Sequence, residues 1–337
     1  MTDPCGTAED PGSLRSWPRD RAIARWLSRL GPEMVLLAAS VVLLGVLKAV
    51  FGGRVYAGKR TALVPLLAVV LLSMAAFVRV WRRGDAATAP AAGRSAAWRD
   101  VLADWMPAVL CIFVYENLHD VVKLIHAGTL DEPLARADVW LFGTQPTLWL
   151  QPLTSPWLTD VMALAYASYF ITPTTLGVLM YVRGALVEFR EFRLAVIAAM
   201  CVGFIGYVVV PAIGPVHYLR DQYTNPPQLF GVWFYNGADA MFRDWRSIDR
   251  DCFPSLHAAV STLTLIWAWK VRNRIPEGRV LLAVYLPLNI FLWFSTVYLR
   301  YHWVIDVLAG WLLAALVAAI VPFVANWYRA RFEAPTR

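Results

Sequence analysis

Eight runs of mostly apolar residues, at about 34–51, 62–80, 102–122, 158–181, 194–212, 255–271, 280–299 and 303–325, constrain this chain more than anything else in it. A helix needs about 20 such residues to cross the ~30 Å hydrocarbon core of a bilayer. Hydrocarbon offers a backbone amide no partner outside the helix itself. The runs therefore predict an all-α integral membrane protein with about eight transmembrane helices. With 58% hydrophobic and 16% charged residues, the composition excludes an ordinary soluble domain. The first run follows a basic segment and carries no small-residue cleavage site, so it reads as a retained span.

The net charge of +7 does not point to nucleic acid, because the arginines sit in short loops between the runs, where they set topology and meet anionic lipid. Placing both termini in the cytoplasm puts about twice as many Lys and Arg residues on the inner side as on the outer. Residues 1–33 then form a cytoplasmic tail whose Leu14–Leu30 stretch is basic and amphipathic and lies in the interface. Residues 34–99 form a two-span hairpin and a flexible linker, 100–328 a six-span core, and 329–337 a second cytoplasmic tail. Within the core, 126–157 is too polar to cross but carries Trp140, Trp149 and Trp157, and predicts short helices at the outer interface. Residues 211–254 form an outer loop. Cys5, Cys111, Cys201 and Cys252 show no spacing typical of a metal site or a disulfide framework, and no metal or cofactor is expected.

Two histidines stand where loops enter apolar helices: His257 in F-P-S-L-H, and His302 four residues before Asp306. Residues four apart share a helix face, so the carboxylate can hold the imidazole in one tautomer and stabilise its charged form. Two crossings separate the histidines, which returns them to one side, together with the 211–254 loop and its His217, Arg220, Arg243, Arg246 and Arg250. Ionisable groups at membrane depth are costly and point to function. This set suits phosphoryl transfer through a histidine. His302 attacks phosphorus, Asp306 orients it, and His257 protonates the leaving oxygen. Arginines and the backbone N–H groups of the helix opening at Ser255 hold the phosphate oxygens.

F-P-S-L-H together with S-x6-H-x3-D resembles the second and third signatures of the type 2 phosphatidic-acid phosphatase superfamily, over roughly residues 100–325. The resemblance implies a six-helix core and a metal-independent phosphohistidine mechanism. It places the family's nucleophile on His302, its aspartate on Asp306 and its proton donor on His257. The chain departs from the common phosphatase text at Leu256, where Gly is usual, and at Thr296, where Arg is usual. The first signature has no clean counterpart; Pro215, His217 and Arg220 are the candidates, and Arg300 stands in for the displaced arginine. P-S-L-H and H-x3-D-x2-A-G look closer to the branch containing inositol phosphorylceramide synthases. That branch implies transfer of a phosphate-linked, phosphoinositol-type head group between lipids at the extracytoplasmic face, with lipid partners. The alternative is a phosphatase of lipid or polyprenyl phosphates with water as acceptor.

Glu116, His119 and Asp120 at the outer end of the third run, and Tyr166 and Tyr169 on the fourth, are candidates for binding a head group or acceptor. A heme or metal protein using His119, His257 and His302 leaves the P-S-L-H helix start and the arginines unexplained. A transporter would carry inverted repeats, and the sequence shows none. The residues do not indicate an oligomeric state.

Overall fold

The computed structural model describes residues 31–51, 91–245 and 250–332, all of them helix or connecting loop. In chain order the α-helices are α1 (Pro32–Phe51), α2 (Ala91–Glu116), α3 (His119–Ile125), α4 (Asp131–Phe142), α5 (Pro146–Trp149), α6 (Pro156–Val182), α7 (Leu186–Val209), α8 (Pro215–Tyr218), α9 (Tyr235–Trp245), α10 (Leu256–Val271), α11 (Gly278–Tyr298) and α12 (Val304–Phe332). Five of them, α1, α6, α7, α11 and α12, are long and apolar enough to cross a membrane, so the chain is a multi-pass membrane protein. The predicted interfacial segment before residue 31, the 62–80 run and the flexible linker up to residue 90 lie outside the described residues. The predicted 102–122 span is a longer helix that breaks at Asn117–Leu118 and resumes as α3.

α10 is the axis of the bundle, packed on all sides by α6, α7, α11 and α12. Lipid tails are as apolar as leucine, so association inside a membrane rests on close packing and hydrogen bonds between helices. The sequence of α10 supplies both. Ala258, Ala259, Ser261, Thr264 and Ala268 are fully buried, and Ser261 Oγ accepts from Trp293 Nε1 of α11 at 2.8 Å. Opposite this seam stands Gly310 of α12, where a Cβ would lie 2.4 Å from Ser255 O. Any side chain at 310 would therefore push α12 away from the start of α10.

The two ends of the bundle differ. At one end, Arg193 at the start of α7 bonds Asp104 of α2 at 2.7 Å and pairs with Glu33 of α1. Arg329 meets Glu191 at 3.2 Å, and Arg183 pairs with Glu277. At the other end the helices stop beneath a cover made of α4, α5, α8, α9 and their loops. With 16 residues α10 is about 24 Å long, shorter than the ~30 Å hydrocarbon layer.

Candidate active site

His302 is aimed by the way α11 ends. Arg300 adopts a left-handed conformation (φ 65°), its N–H bonds Val297 O at 3.0 Å, and the Tyr301 N–H reaches back to Thr296 O at 3.0 Å. That pair of bonds is a Schellman turn with arginine where glycine is usual, at a local cost of roughly 1–2 kcal/mol. The chain then enters α12. Ser255 caps α10 by accepting from Ala258 N at 3.2 Å, and its own N–H donates to Asp306 O at 3.0 Å. The first turns of α10 and α12 are thereby locked together. The result brings His302 Nε2 to 3.4 Å from His257 Nδ1.

The other ring nitrogen of His302 lies 3.0 Å from Cys252 O and 3.5 Å from Asp306 Oδ2. Both neighbours are acceptors, so the proton resides on Nδ1, and Nε2 presents its lone pair towards His257. Asp306, with no exposed surface, also accepts from Trp303 N at 2.8 Å and Cys252 Sγ at 2.9 Å. Burial, and after it the Asp306 carboxylate, hold the Cys252 thiol pKa well above its usual value, so Cys252 is an S–H donor. Asp306 Oδ1 has no hydrogen-bond partner. Cys252 Sγ, His302 Nδ1 and Asp306 Oδ2 form the one group among the described residues that could hold a metal ion.

Tyr166 and Tyr169 of α6 pack against His257, with ring centroids at 4.4 and 4.3 Å, and Tyr166 Oη is 3.5 Å from its Nδ1. Tyr166 also meets Tyr301, whose hydroxyl donates to Asp239 of α9 at 3.4 Å.

Three buried carboxylates frame the site, and none was singled out from the sequence. Asp131 at the start of α4 accepts from Ile213 N and Gly214 N, both at 2.9 Å, and from Trp303 Nε1 at 3.1 Å. Gly214 has φ 83° and a Cβ there would meet Tyr301 O at 2.6 Å, so this approach requires glycine. Asp138, two turns further along α4, caps α12 through Val304 N at 2.8 Å and Ile305 N at 2.9 Å. Asp160 of α6 accepts the N–H groups of Val232, Trp233, Phe234 and Tyr235 at 2.7–3.1 Å. The D-x6-D spacing on one face of α4 was the available signal; a segment read as interfacial concealed it.

Burial pushes the Asp138 carboxyl up to about 6, against the pull of its two backbone donors. A carboxyl raised in the folded state contributes stability that is full below the unfolded pKa near 4 and is lost as pH rises through 6. Asp138→Asn is accordingly expected to flatten the fall of the melting temperature between pH 4 and 6, measured by thermal unfolding in detergent.

The basic residues take other positions. Arg300 is 2% exposed, donates to Pro226 O and Pro227 O at 3.0 Å each, and stacks 3.8 Å over Tyr223. Its observed partners are carbonyls of the covering loop. Arg250 donates to His126 O at 2.6 Å. His217 on α8 and Arg220 just after it are exposed, beside the turn at Arg300, whose carbonyl accepts from Val216 N at 2.8 Å. The side chain of Arg243 and all of Arg246 lie outside the described residues. Glu116 ends α2, and His119 and Asp120 open α3. Near them Asn117 is buried and accepts from Lys48 of α1 at 3.4 Å, and Tyr115 donates to Asp251 at 2.8 Å, linking this helix end to the loop before Cys252.

The sequence profile of the PAP2 superfamily matches residues 132–320, just over half of the chain, and takes in both histidine segments. Among curated proteins the chain is similar to the phosphoinositol dihydroceramide synthase of Bacteroides thetaiotaomicron, at 25% identity over 165 residues. That alignment covers 45% of this chain and about half, 52%, of the relative. No solved structure matches. An all-helical membrane bundle with paired histidines at the mouth of its central helix, matched by that profile across its core, belongs to the PAP2 superfamily, whose kind of activity is lipid phosphatase or phosphotransferase.

Proposed function

We propose that this protein is a lipid phosphotransferase that carries a phosphate-linked head group, of the phosphoinositol class, between lipids through a phosphohistidine at His302 on the extracytoplasmic face. The observation that carries this reading is the pairing of His302 Nε2 with His257 Nδ1 at 3.4 Å while Nδ1 of His302 is held by Cys252 O and Asp306. In the first step Nε2 attacks phosphorus, the bond to the donor's alcohol oxygen breaks, and His257 gives that oxygen its proton. In-line displacement puts the leaving oxygen on the far side of phosphorus, so His257 swings off His302 as the phosphate enters. In the second step an acceptor hydroxyl loses its proton to His257, attacks phosphorus, and the P–N bond breaks. Asp306 stabilises the positive ring in between. The phosphate oxygens meet the first N–H groups of α10, with His217, Arg220 and Arg250 supplied by the cover.

Transfer rather than hydrolysis is favoured by the Leu256 form of the second signature, by the synthase relative and by the polar group from Glu116 to Lys123. Incubating the purified protein with inositol phospholipids and lipid alcohols, and resolving products by mass, reads the transferred group. A head group appearing on the acceptor supports the reading; release of only free phosphate or inositol phosphate with acceptor present rejects it.

Tyr166 and Tyr169 pack against the His257 ring and hold its orientation. Tyr166→Leu is expected to lower kcat about tenfold, with KM little changed, by freeing the His257 ring to turn, measured by steady-state kinetics. Tyr166→Phe, which keeps the ring, should stay near the wild-type kcat.

A further inference from the structure

We propose that Cys252 Sγ, His302 Nδ1 and Asp306 Oδ2 form a site for a soft divalent cation, Zn²⁺ above all, and that its occupancy switches the enzyme off; the inhibitory part rests on His302 being the nucleophile. The three atoms lie 3.6 Å (S···N), 3.5 Å (N···O) and 2.9 Å (S···O) apart. A tetrahedral zinc ion with Zn–S about 2.3 Å and Zn–N and Zn–O about 2.0 Å spaces its ligands about 3.5, 3.3 and 3.5 Å apart in the same order. Two edges already fit. The third opens by about 0.6 Å, and Cys252 can supply that by a small side-chain rotation, since it sits on a loop rather than in a helix.

Charge balance favours occupancy. The set offers one thiol, one carboxylate and one neutral imidazole. Binding Zn²⁺ expels the thiol proton, and the resulting thiolate and the carboxylate cancel the two positive charges. A buried site with no net charge avoids the large penalty of an unpaired ion. Asp306 is fully buried, and its Oδ1 lacks any partner, so the carboxylate has acceptor capacity to give.

Inhibition follows from the tautomer. At rest the ring proton is on Nδ1 and the lone pair on Nε2. A metal on Nδ1 needs that lone pair, so the proton moves to Nε2 and the nucleophilic atom is blocked. No redox step or further reactant is required.

The test uses the full chain purified in detergent and stripped with chelator. Buffered Zn²⁺ is expected to inhibit the wild type reversibly, with activity restored by chelator. Cys252→Ser should raise the inhibitory concentration about 100-fold or more, since losing one ligand of three costs more than the 10–100-fold typical of second-shell changes. Cys252→Ala is the substitute if Ser disturbs folding. In parallel, Co²⁺ should give the near-ultraviolet thiolate charge-transfer band in the wild type and in Cys111→Ser and Cys201→Ser, but not in Cys252→Ser. Equal zinc sensitivity in wild type and Cys252→Ser, activation by zinc, or no cobalt–thiolate band would each overturn the proposal. The cobalt band does not depend on turnover. Its presence in a protein that processes no lipid phosphate would uphold the site and reject the nucleophile role.

Discussion

His302→Ala is expected to reduce turnover by about 10⁵-fold or more, to the background of the assay, because it removes the Nε2 atom that forms the covalent intermediate. The backbone N–H of residue 302 bonds Thr296 O and survives the change, as do the Trp303 and Cys252 bonds to Asp306. The loss of the ring's own contacts should cost about 1–2 kcal/mol of stability, so the variant should remain a monodisperse bundle. Brief incubation with donor lipid labelled in the head-group phosphate should leave an acid-labile, base-stable label on the wild type and none on the variant. Wild-type activity in His302→Ala would end the mechanism.

Asp306→Asn is expected to lower kcat by about 10²–10⁴-fold with little change in KM, since the carboxylate acts on the charged ring formed during reaction rather than on bound substrate. Asparagine keeps the volume and can still accept the Trp303 N–H through its oxygen. It brings no negative charge to the imidazolium. All three donors meet Oδ2, so with the amide oxygen there the NH2 takes the buried Oδ1 position, which offers it no acceptor, and what the ring loses is the charge. A change in KM with kcat preserved would assign Asp306 to substrate binding instead.

The meeting of the two histidines was legible in the sequence from the parity of two crossings between them, whereas His302 precedes α12 and meets Asp306 across the turn into that helix rather than along its face. Tyr166 and Tyr169 share a face of α6 by helix periodicity, though their contact with His257 depends on the packing of α6 beside α10. Arg300 shows what residue type leaves out: its positive φ and its burial over Tyr223 arise from how α11 terminates, which charge does not encode. Asp131, Asp138 and Asp160 have partners far along the chain, so the D-x6-D spacing on α4 marks a shared face for the first two but names none of the amides they meet. The third run likewise reads as one continuous span, and the break after Glu116 carries neither Gly nor Pro to announce it.

The shortness of α10 has a mechanical consequence. A 16-residue axis surrounded by helices of 21 to 29 residues makes the molecule thin at its centre and tall at its rim. Lipid meets the tall rim and not the short axis, so the shortfall is a recess inside the protein: the start of α10, with His257, is closed over by the covering helices and their loops rather than by the bilayer.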